Sequence, residues 1–250
     1  MSSPDRHFVT DGPGFFLEKG TFAGSTVRNH LKRLLSLSLA ALLAALFAAA
    51  PVRTAGNFSV SRELLNQAEK KYGREAYRRL VAWQELISGD RSRTDREKLE
   101  KVNRFFNERI RFESDLDVWG VEDYWATPIE FLVKGAGDCE DFAIAKYFTL
   151  KAMGVQDDKL RITYVKALRY NIHHMVLTYY GEPEAEPLVL DNLVDTIDRA
   201  SKRTDLFPIL SFNGSGLWLA KQRGSGKYAG SPNRLRPWQD LLRKMSENKL

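Results

Sequence analysis

Apolar residues recur at helical spacing in the first part of the chain beyond residue 56. Between Ser61 and Ile87 they return about every 3.6 residues, which predicts one amphipathic helix or a pair broken near Gly73. The apolar positions are Leu64, Leu65, Ala68, Tyr72, Ala76, Leu80 and Trp83.

Two capping signals predict where the next helices begin. Thr94 stands three residues before Glu97, and Thr127 stands three residues before Glu130, directly followed by a proline. In such a capping box the threonine side chain binds a backbone N–H at the helix start and the glutamate binds back. Residues 111–125, between the two signals, are rich in acids and aromatics and predict a loop.

The next predicted helix carries the only cysteine of the chain. Cys139 opens a stretch of helical spacing that runs to Gly154, so the thiol is expected in the first helical turn. The apolar period then changes to two, which predicts antiparallel strands over residues 162–168, 172–180 and 188–190. Helices followed by antiparallel strands indicate the α+β class.

The last part of the chain predicts a hairpin and a tail. Residues 209–212 and 217–219 are mostly apolar and flank an Asn-Gly turn, which predicts the hairpin. Residues 221–234 are rich in glycine, serine and basic side chains, and predict the start of a flexible basic tail over 221–250. A short helix is expected within that tail, over residues 237–245.

The N-terminal segment has the layout of an export signal. Basic residues at 28, 32 and 33 stand before the uncharged apolar run 34–50, which is shorter than the ~20 residues of a typical membrane span. Ala48 and Ala50 have the spacing that a signal peptidase reads, but a proline follows. Both a cleaved signal peptide and an uncleaved membrane anchor fit this pattern. We therefore predict a leader over residues 1–55 and a folded domain over 56–220.

Composition narrows the function classes. The 250 residues carry a formal charge of +6, but six basic and three acidic side chains lie in residues 1–55, so the rest is nearly neutral. A nearly neutral body lacks the excess of basic side chains that nucleic-acid binding requires. The single cysteine excludes internal disulfides and multi-cysteine zinc sites.

Cys139 is a candidate nucleophile. A thiol in the first helical turn feels the positive end of the helix dipole, which favours the thiolate. The only histidines outside the leader are His173 and His174, which are adjacent on a predicted strand and point to opposite faces. One of them can serve as base to the thiol. The alternative is an inert, packed thiol.

Asp191 is the candidate that orients the base. If a loop over residues 181–184 closes the predicted hairpin, His174 lies directly opposite Asp191. The alternative pairing, His173 opposite Asn192, points to the other face and offers only a neutral amide. Asp191 is alternatively a cap at the end of its strand.

Four short motifs together resemble a known family. They are residues 124–128 (YWATP), 137–141 (GDCED), 174–177 (HMVL) and 190–192 (LDN). The chain resembles the bacterial transglutaminase-like cysteine proteinases over residues 60–220. The resemblance implies a papain-like fold, with an N-terminal helical lobe packed on an antiparallel β-sheet. It also implies a catalytic triad of Cys139, His174 and Asp191.

The same resemblance implies a biological setting. Members of the family are periplasmic enzymes that cut very large surface adhesins near their N-termini, at a paired-alanine site, which promotes biofilm release. An inner-membrane receptor that binds cyclic di-GMP in the cytoplasm captures the proteinase in the periplasm.

The acids beside the cysteine predict a metal. Asp138, Glu140 and Asp141 should raise the pKa of the thiol unless a cation neutralises them. Calcium takes such oxygen ligands, and the family is known as calcium-dependent with ligands among these acids. Asp115 and Asp117 are expected to complete the shell. The alternative is that the acids are only dipole partners or solvated loop residues.

Trp125 and the type of reaction remain open at this level. The indole N–H of Trp125 is a candidate donor to an oxyanion, and burial in the core is the alternative. The same triad could crosslink proteins or act as an amidase, because an amine and water compete for one acyl-enzyme. Two hypotheses without catalysis also fit the sequence: a calcium-responsive binding module, and an exported structural protein with a buried thiol.

Overall fold

The helices of the protein lie mostly before its strands. The computed structural model describes residues 60–89, 93–220 and 226–247. Its helices are α1 (Arg62–Tyr72), α2 (Arg74–Gly89), α3 (Asp95–Arg109), α4 (Asp115–Trp119), α5 (Pro128–Lys134), α6 (Cys139–Ala152) and α7 (Arg236–Glu247). Its strands are β1 (Arg111–Phe112), β2 (Ala136–Gly137), β3 (Leu160–Ala167), β4 (Ile172–Tyr179), β5 (Leu188–Leu190), β6 (Asp198–Arg199), β7 (Leu206–Phe212), β8 (Leu217–Leu219) and β9 (Lys227–Gly230).

The predicted leader and its apolar run lie outside the described residues. None of the helices in the described ranges has both the length and the apolar character needed to cross a membrane.

Helix boundaries are confirmed where the sequence carries a local signal. α3 and α5 begin with complete capping boxes at Thr94 and Thr127. Gly73, at a φ of 87°, separates α1 from α2, so the first amphipathic pattern is a pair of helices. Glycine accepts this backbone conformation without strain. The predicted loop over residues 111–125 also holds a short helix, α4, which Ser114 caps.

The sheet confirms the predicted α+β class. Strands β3 to β9 form one antiparallel sheet in the order β6-β5-β4-β3-β7-β8-β9. The predicted three strands and the predicted hairpin correspond to β3, β4 and β5 and to β7 and β8. β1 and β2 pair separately and in parallel, and β2 ends two residues before Cys139.

The predicted register of the β4–β5 hairpin is wrong by two residues. The prediction placed His174 opposite Asp191, whereas the strands pair Leu177 with Leu190. β5 starts only after Pro187, which has no N–H for the ladder, so the connecting loop is longer than predicted. A slip of two residues keeps every side chain on its own face of the sheet. Asp191 therefore remains a diagonal neighbour of His174 on the same face.

Helix α6 is the central helix of the core. It packs against α3, α5, β3 and β4, and nearly all of its side chains are buried. The largest fully buried side chains of the domain include Trp83, Trp238, Tyr147, Phe106, Phe131, Lys146 and Phe212. This packing fixes the first turn of α6, and with it the position of Cys139.

The C-terminal residues differ from the predicted flexible tail. Residues 227–230 form β9, which pairs with β8 at the edge of the sheet. The ring of Trp238 on α7 is 1% exposed and stacks on Phe148 with centroids 5.7 Å apart. Trp238, Leu241 and Met245 recur at helical spacing, and α7 covers the short helix predicted over residues 237–245. Residues 221–225 lie outside the described ranges.

Candidate active site

Cys139 is the first residue of α6, where its thiol is partly exposed. Asp138 is the N-cap of the helix, and β2 leads into it. At Gly137 an added β-carbon would collide with the Asp141 carboxylate and would lie 2.8 Å from the Phe131 ring. Glycine at this position therefore allows the chain to approach the first turn of α6 closely.

The thiol is hydrogen-bonded to an acid. Its Sγ lies 3.2 Å from Oε2 of Glu140. Burial raises the pKa of the Cys139 thiol well above its ordinary value, and the Glu140 and Asp138 carboxylates raise it further. A backbone interaction with Met175 opposes these effects. In this arrangement burial and the carboxylates outweigh the helix dipole that was expected to favour the thiolate.

His174 and Asp191 form a buried pair. The imidazole Nε2 lies 2.8 Å from Oδ1 of Asp191, and the two residues are 2% and 1% exposed. Because Nε2 is bonded to the carboxylate, Nδ1 is the ring nitrogen left for another partner. An imidazole held by a carboxylate in this way has the orientation and tautomer of a general base.

Every oxygen of Asp191 has a partner. Oδ1 also accepts from the backbone N–H of Leu193 at 3.0 Å, and Oδ2 accepts from Arg203 at 2.7 Å. The main-chain oxygen accepts from Asn107 at 2.9 Å and from Lys146 at 3.1 Å. Burial alone would raise the pKa of this carboxyl, but the imidazole, the backbone N–H and the guanidinium together hold it below its ordinary value.

The thiol and the imidazole are not in hydrogen-bonding contact. Met175 belongs with Cys139 to the main core, whereas Val165, which pairs with His174 across the sheet, belongs to a second apolar cluster. Among the described residues, the side-chain hydrogen bond of the thiol goes to Glu140. The structure thus joins His174 to Asp191 and leaves the Cys139 thiol bonded elsewhere.

Two further aromatic candidates have other neighbours. His173 is exposed, and its ring stacks on Tyr164 with centroids 5.1 Å apart. Trp125 is half-buried and stacks on Phe212 with centroids 5.8 Å apart, while its main-chain oxygen accepts from Lys244 at 2.6 Å. The oxyanion role of Trp125 stays a prediction.

Carboxylates gather around the first turn of α6. One oxygen each of Asp115, Asp138 and Asp141 lies within 4.8 Å of the other two, and the same holds for Asp115, Asp123 and Glu140. A third group joins Asp138, Glu140 and the thiol within the same distance. Several carboxylate oxygens at this range suit a hard cation such as calcium.

The state of these acids also fits a cation. One buried oxygen each of Asp115, Asp138 and Asp141 has no hydrogen-bond partner within the described chain. Burial raises the pKa of Asp115 to about 6 and that of Asp138, with a further contribution from Glu140, to about 8. Burial also raises the pKa of Asp141 well above its ordinary value. Buried acids with unpaired oxygens are unfavourable unless protons or a cation neutralise them.

The acid groups include Asp115, one of the two predicted ligands on α4, and they add Asp123. Asp117 accepts a hydrogen bond from Ser114 at 2.6 Å and belongs to none of the acid groups among the described residues. Asp115, two residues earlier on α4, is 1% exposed and accepts from the backbone N–H of Tyr124 at 2.5 Å. Residues two apart on a helix do not share a face, so only one of them can turn inward. Asp123, which sequence reasoning omitted, lies in an irregular segment without a readable pattern.

Sequence reasoning also missed two cations that bind Asp191. Lys146 had a readable signal, because a charged residue interrupts the apolar run of α6. Burial lowers the pKa of this lysine to about 7, against the attraction of Asp191 and Asp195. Arg203 follows a short 3₁₀ turn in a polar segment, where neither period nor motif marks it.

Comparison with known proteins places this site in a family. The family model of the bacterial transglutaminase-like cysteine proteinases (BTLCP) matches residues 82–209, just over half of the chain. No curated protein matches the chain.

Solved structures of LapG from Legionella pneumophila are similar to the chain. One is 44% identical with a TM-score of 0.62, and covers 72% of this chain and 97% of that one. An EGTA-treated form is 45% identical with a TM-score of 0.63, over 72% of this chain and 97% of that one. A calcium-bound form is 46% identical with a TM-score of 0.63, over 73% and 98%. The chain belongs to the bacterial transglutaminase-like cysteine proteinases.

Proposed function

We propose that the chain is a periplasmic, calcium-dependent cysteine endopeptidase that cleaves the N-terminal region of a large cell-surface adhesin and so promotes biofilm release. The catalytic part rests on one observation, the buried His174–Asp191 pair, whose histidine lies on β4, the strand that packs against the helix of Cys139. The substrate and the compartment rest on family membership and on the export signal read in residues 34–50.

The proposed reaction uses three side chains. Sγ of Cys139 attacks the scissile carbonyl carbon, and Nδ1 of His174 takes the thiol proton and returns it to the leaving amine. Water then hydrolyses the thioester, with the same imidazole as base. Asp191 holds the ring through Nε2 and stabilises the imidazolium that forms. The backbone N–H of Cys139 at the helix start, with the Trp125 indole as a second donor, stabilises the oxyanion.

Before attack, the thiol must exchange its hydrogen bond to Glu140 for one to His174. Calcium, when bound, supplies positive charge that offsets the carboxylates beside the thiol and lowers its pKa. The residues that would hold it are Asp115, Asp123, Asp138, Glu140 and Asp141. Glu140, as one of these ligands, would then no longer bind the sulfur, which would be free to bond to His174.

The proposed regulator is an inner-membrane receptor that binds cyclic di-GMP in the cytoplasm and captures the proteinase in the periplasm. This partner rests on family membership. An apolar run 34–50 that is not cleaved would keep the enzyme at the same membrane. Purified receptor should lower the rate of adhesin cleavage when cyclic di-GMP is present and leave it unchanged when cyclic di-GMP is absent.

The central experiment is a cleavage assay. We would incubate the full chain with the recombinant N-terminal segment of a large adhesin from the same organism, first with EGTA and then with excess calcium. A new N-terminus, detected by mass spectrometry, should appear only with calcium. Cys139→Ala should lower the rate by about a thousandfold or more, since triad members act as a unit. Circular dichroism should show that this variant is folded.

Other products in the same assay would indicate a different function. Isopeptide crosslinks without new N-termini would indicate transfer to an amine. Calcium-dependent binding without any product, with Cys139 alkylated no faster than a free thiol, would indicate a binding module. Cleavage that survives Cys139→Ala would overturn the proposal.

A further inference from the structure

Arg203 is the cation that faces Asp191 from the side opposite His174. Its Nη2 donates to Oδ2 of Asp191 at 2.7 Å, while the imidazole occupies Oδ1. The arginine is 7% exposed, so this ion pair is largely shielded from water. A charge-assisted bond at this distance in a buried place is among the stronger polar interactions in proteins.

Arg203 is itself held in a fixed plane. Its Nε donates to Oδ1 of Asp205 at 2.9 Å, and its Nη2 donates to Oδ2 of the same residue at 2.8 Å. A planar guanidinium gripped in this bidentate way has little freedom to rotate. Lysine, with a single ammonium on a flexible stem, cannot reproduce the fork.

The two bonds on opposite oxygens fix the plane of the Asp191 carboxylate. A partner on one oxygen alone would leave the group free to turn about its χ2 bond. The imidazole, which takes its orientation from Oδ1, would then lose its alignment toward the nucleophile. The other charged groups near Asp191 are Lys146 from α6 and Asp195 from the following loop.

We propose that Arg203 is a positioning residue of the proteinase, which clamps Asp191 in the orientation that aligns His174. The inference rests on the proposed roles of His174 and Asp191.

The test compares Arg203→Met and Arg203→Lys in the full chain, with Arg199→Met and Arg199→Lys as matched controls. Arg199 is an exposed arginine four residues earlier. With Arg203→Met we expect kcat on the adhesin segment to fall about 10- to 100-fold, because a small misplacement of a catalytic group has that effect, while KM changes less than about twofold. Arg203→Lys should keep the charge and lose the fork, so its kcat should lie between.

A second readout separates positioning from mere stability. In a Cys139→Ala background, the signal of the His174 Nε2–H proton, which reports its hydrogen bond to Asp191, is measured by NMR, with His173 as internal reference. Releasing the Asp191 carboxylate weakens that bond, so Arg203→Met should move the signal upfield of its wild-type position. Arg203→Lys, which keeps the charge and loses the fork, should move it less. A purely structural role would lower stability without this pattern.

The outcomes are distinct. If Arg203→Met keeps kcat within about twofold of Arg199→Met, or leaves the His174 Nε2–H signal unchanged, the inference is wrong. If Arg203→Met does not fold, Asp205→Asn decides instead, because it loosens the fork and leaves Arg203 and Asp191 in place. Unchanged kcat in that variant also overturns the inference. Activity in Cys139→Ala would overturn the proposed function itself, which the Arg203 variants alone cannot do.

Discussion

Asp191 and Asp141 are both buried in the site, at 1% and 0% exposure, yet their surroundings stabilise the charged carboxylate at Asp191 and disfavour it at Asp141. The carboxylate of Asp191 accepts from His174, Arg203 and a backbone N–H, and its pKa is held low against burial. Asp141 accepts one N–H, from Ala126 at 2.7 Å, and its other oxygen has no partner within the described chain. Burial therefore prevails at Asp141 and raises its pKa.

The comparison shows that protein donors satisfy the carboxylate of Asp191 in the His174–Asp191 pair, whereas the carboxylates beside Cys139 have oxygens without a protein partner. The Asp191 carboxylate is saturated with protein donors and holds the His174 ring, so this pair is in place as soon as the chain folds. The carboxylates beside Cys139 lack such donors, and the thiol is bonded to one of them. Activity should thus depend on a source of positive charge beside these carboxylates.

The largest expected effect comes from disrupting the His174–Asp191 pair. His174→Ala should lower kcat/KM by about a thousandfold or more, because it removes the general base. His173→Ala is the matched control on the adjacent, exposed ring, and should stay within about threefold of wild type. The measurement is steady-state cleavage of the adhesin segment.

The reverse pattern would contradict the assignment of the base. An inactive His173→Ala with an active His174→Ala would mean that the exposed ring stacked on Tyr164 serves the thiol. The buried His174–Asp191 pair would then be structural.

Local signals explain why much of this arrangement was predictable. The capping boxes at Thr94 and Thr127 involve residues three apart, and each formed as predicted. The break at Gly73 is one of the two alternatives that the sequence left open. The contact between His174 and Asp191 also formed, although its register was wrong, because a slip of two residues preserves the face of a strand.

What the sequence could not provide lies in segments without period. Asp123 and Arg203 come from irregular stretches. The fold alone brings Asp123 to the carboxylates beside Cys139 and Arg203 to Asp191. Asp117 was chosen for its charge, but the helical turn of α4 directs Asp115 inward instead. Charge alone does not tell which of two nearby acids faces a site.

The next largest effect concerns the carboxylates beside Cys139. Gly137→Ala should weaken calcium binding about tenfold, because the added methyl group displaces the Asp141 carboxylate and changes the ligand shell. Gly89→Ala is the matched control, since a β-carbon there meets nothing within 4 Å. Calorimetric titration with calcium gives both affinities. Equal affinities in two folded variants would mean that Asp141 does not contribute to the metal site.

The smallest expected effect concerns stability and pH. Burial raises the pKa of Asp115 to about 6 and that of Asp138 to about 8. An acid whose pKa is higher in the folded than in the unfolded chain binds more protons when folded, so its contribution to stability is lost as pH rises through the folded value. Without metal, the protein should therefore lose stability between about pH 4 and pH 8.

Calcium should oppose that loss, because its ligands must be deprotonated and protons compete less as pH rises. We expect the difference in Tm between calcium and EGTA to widen from pH 5.5 to pH 8.5 by roughly 5 °C, since about 1 kcal/mol moves Tm by some 2–4 °C in a protein of this size. Thermal unfolding followed by circular dichroism at both pH values measures it. Asp117→Asn, outside the acid groups, should widen like wild type, whereas Asp138→Asn should not. A constant difference across pH would mean that protons on these acids do not compete with the cation. The carboxylates beside Cys139 would then be as fully satisfied by the protein as Asp191 is.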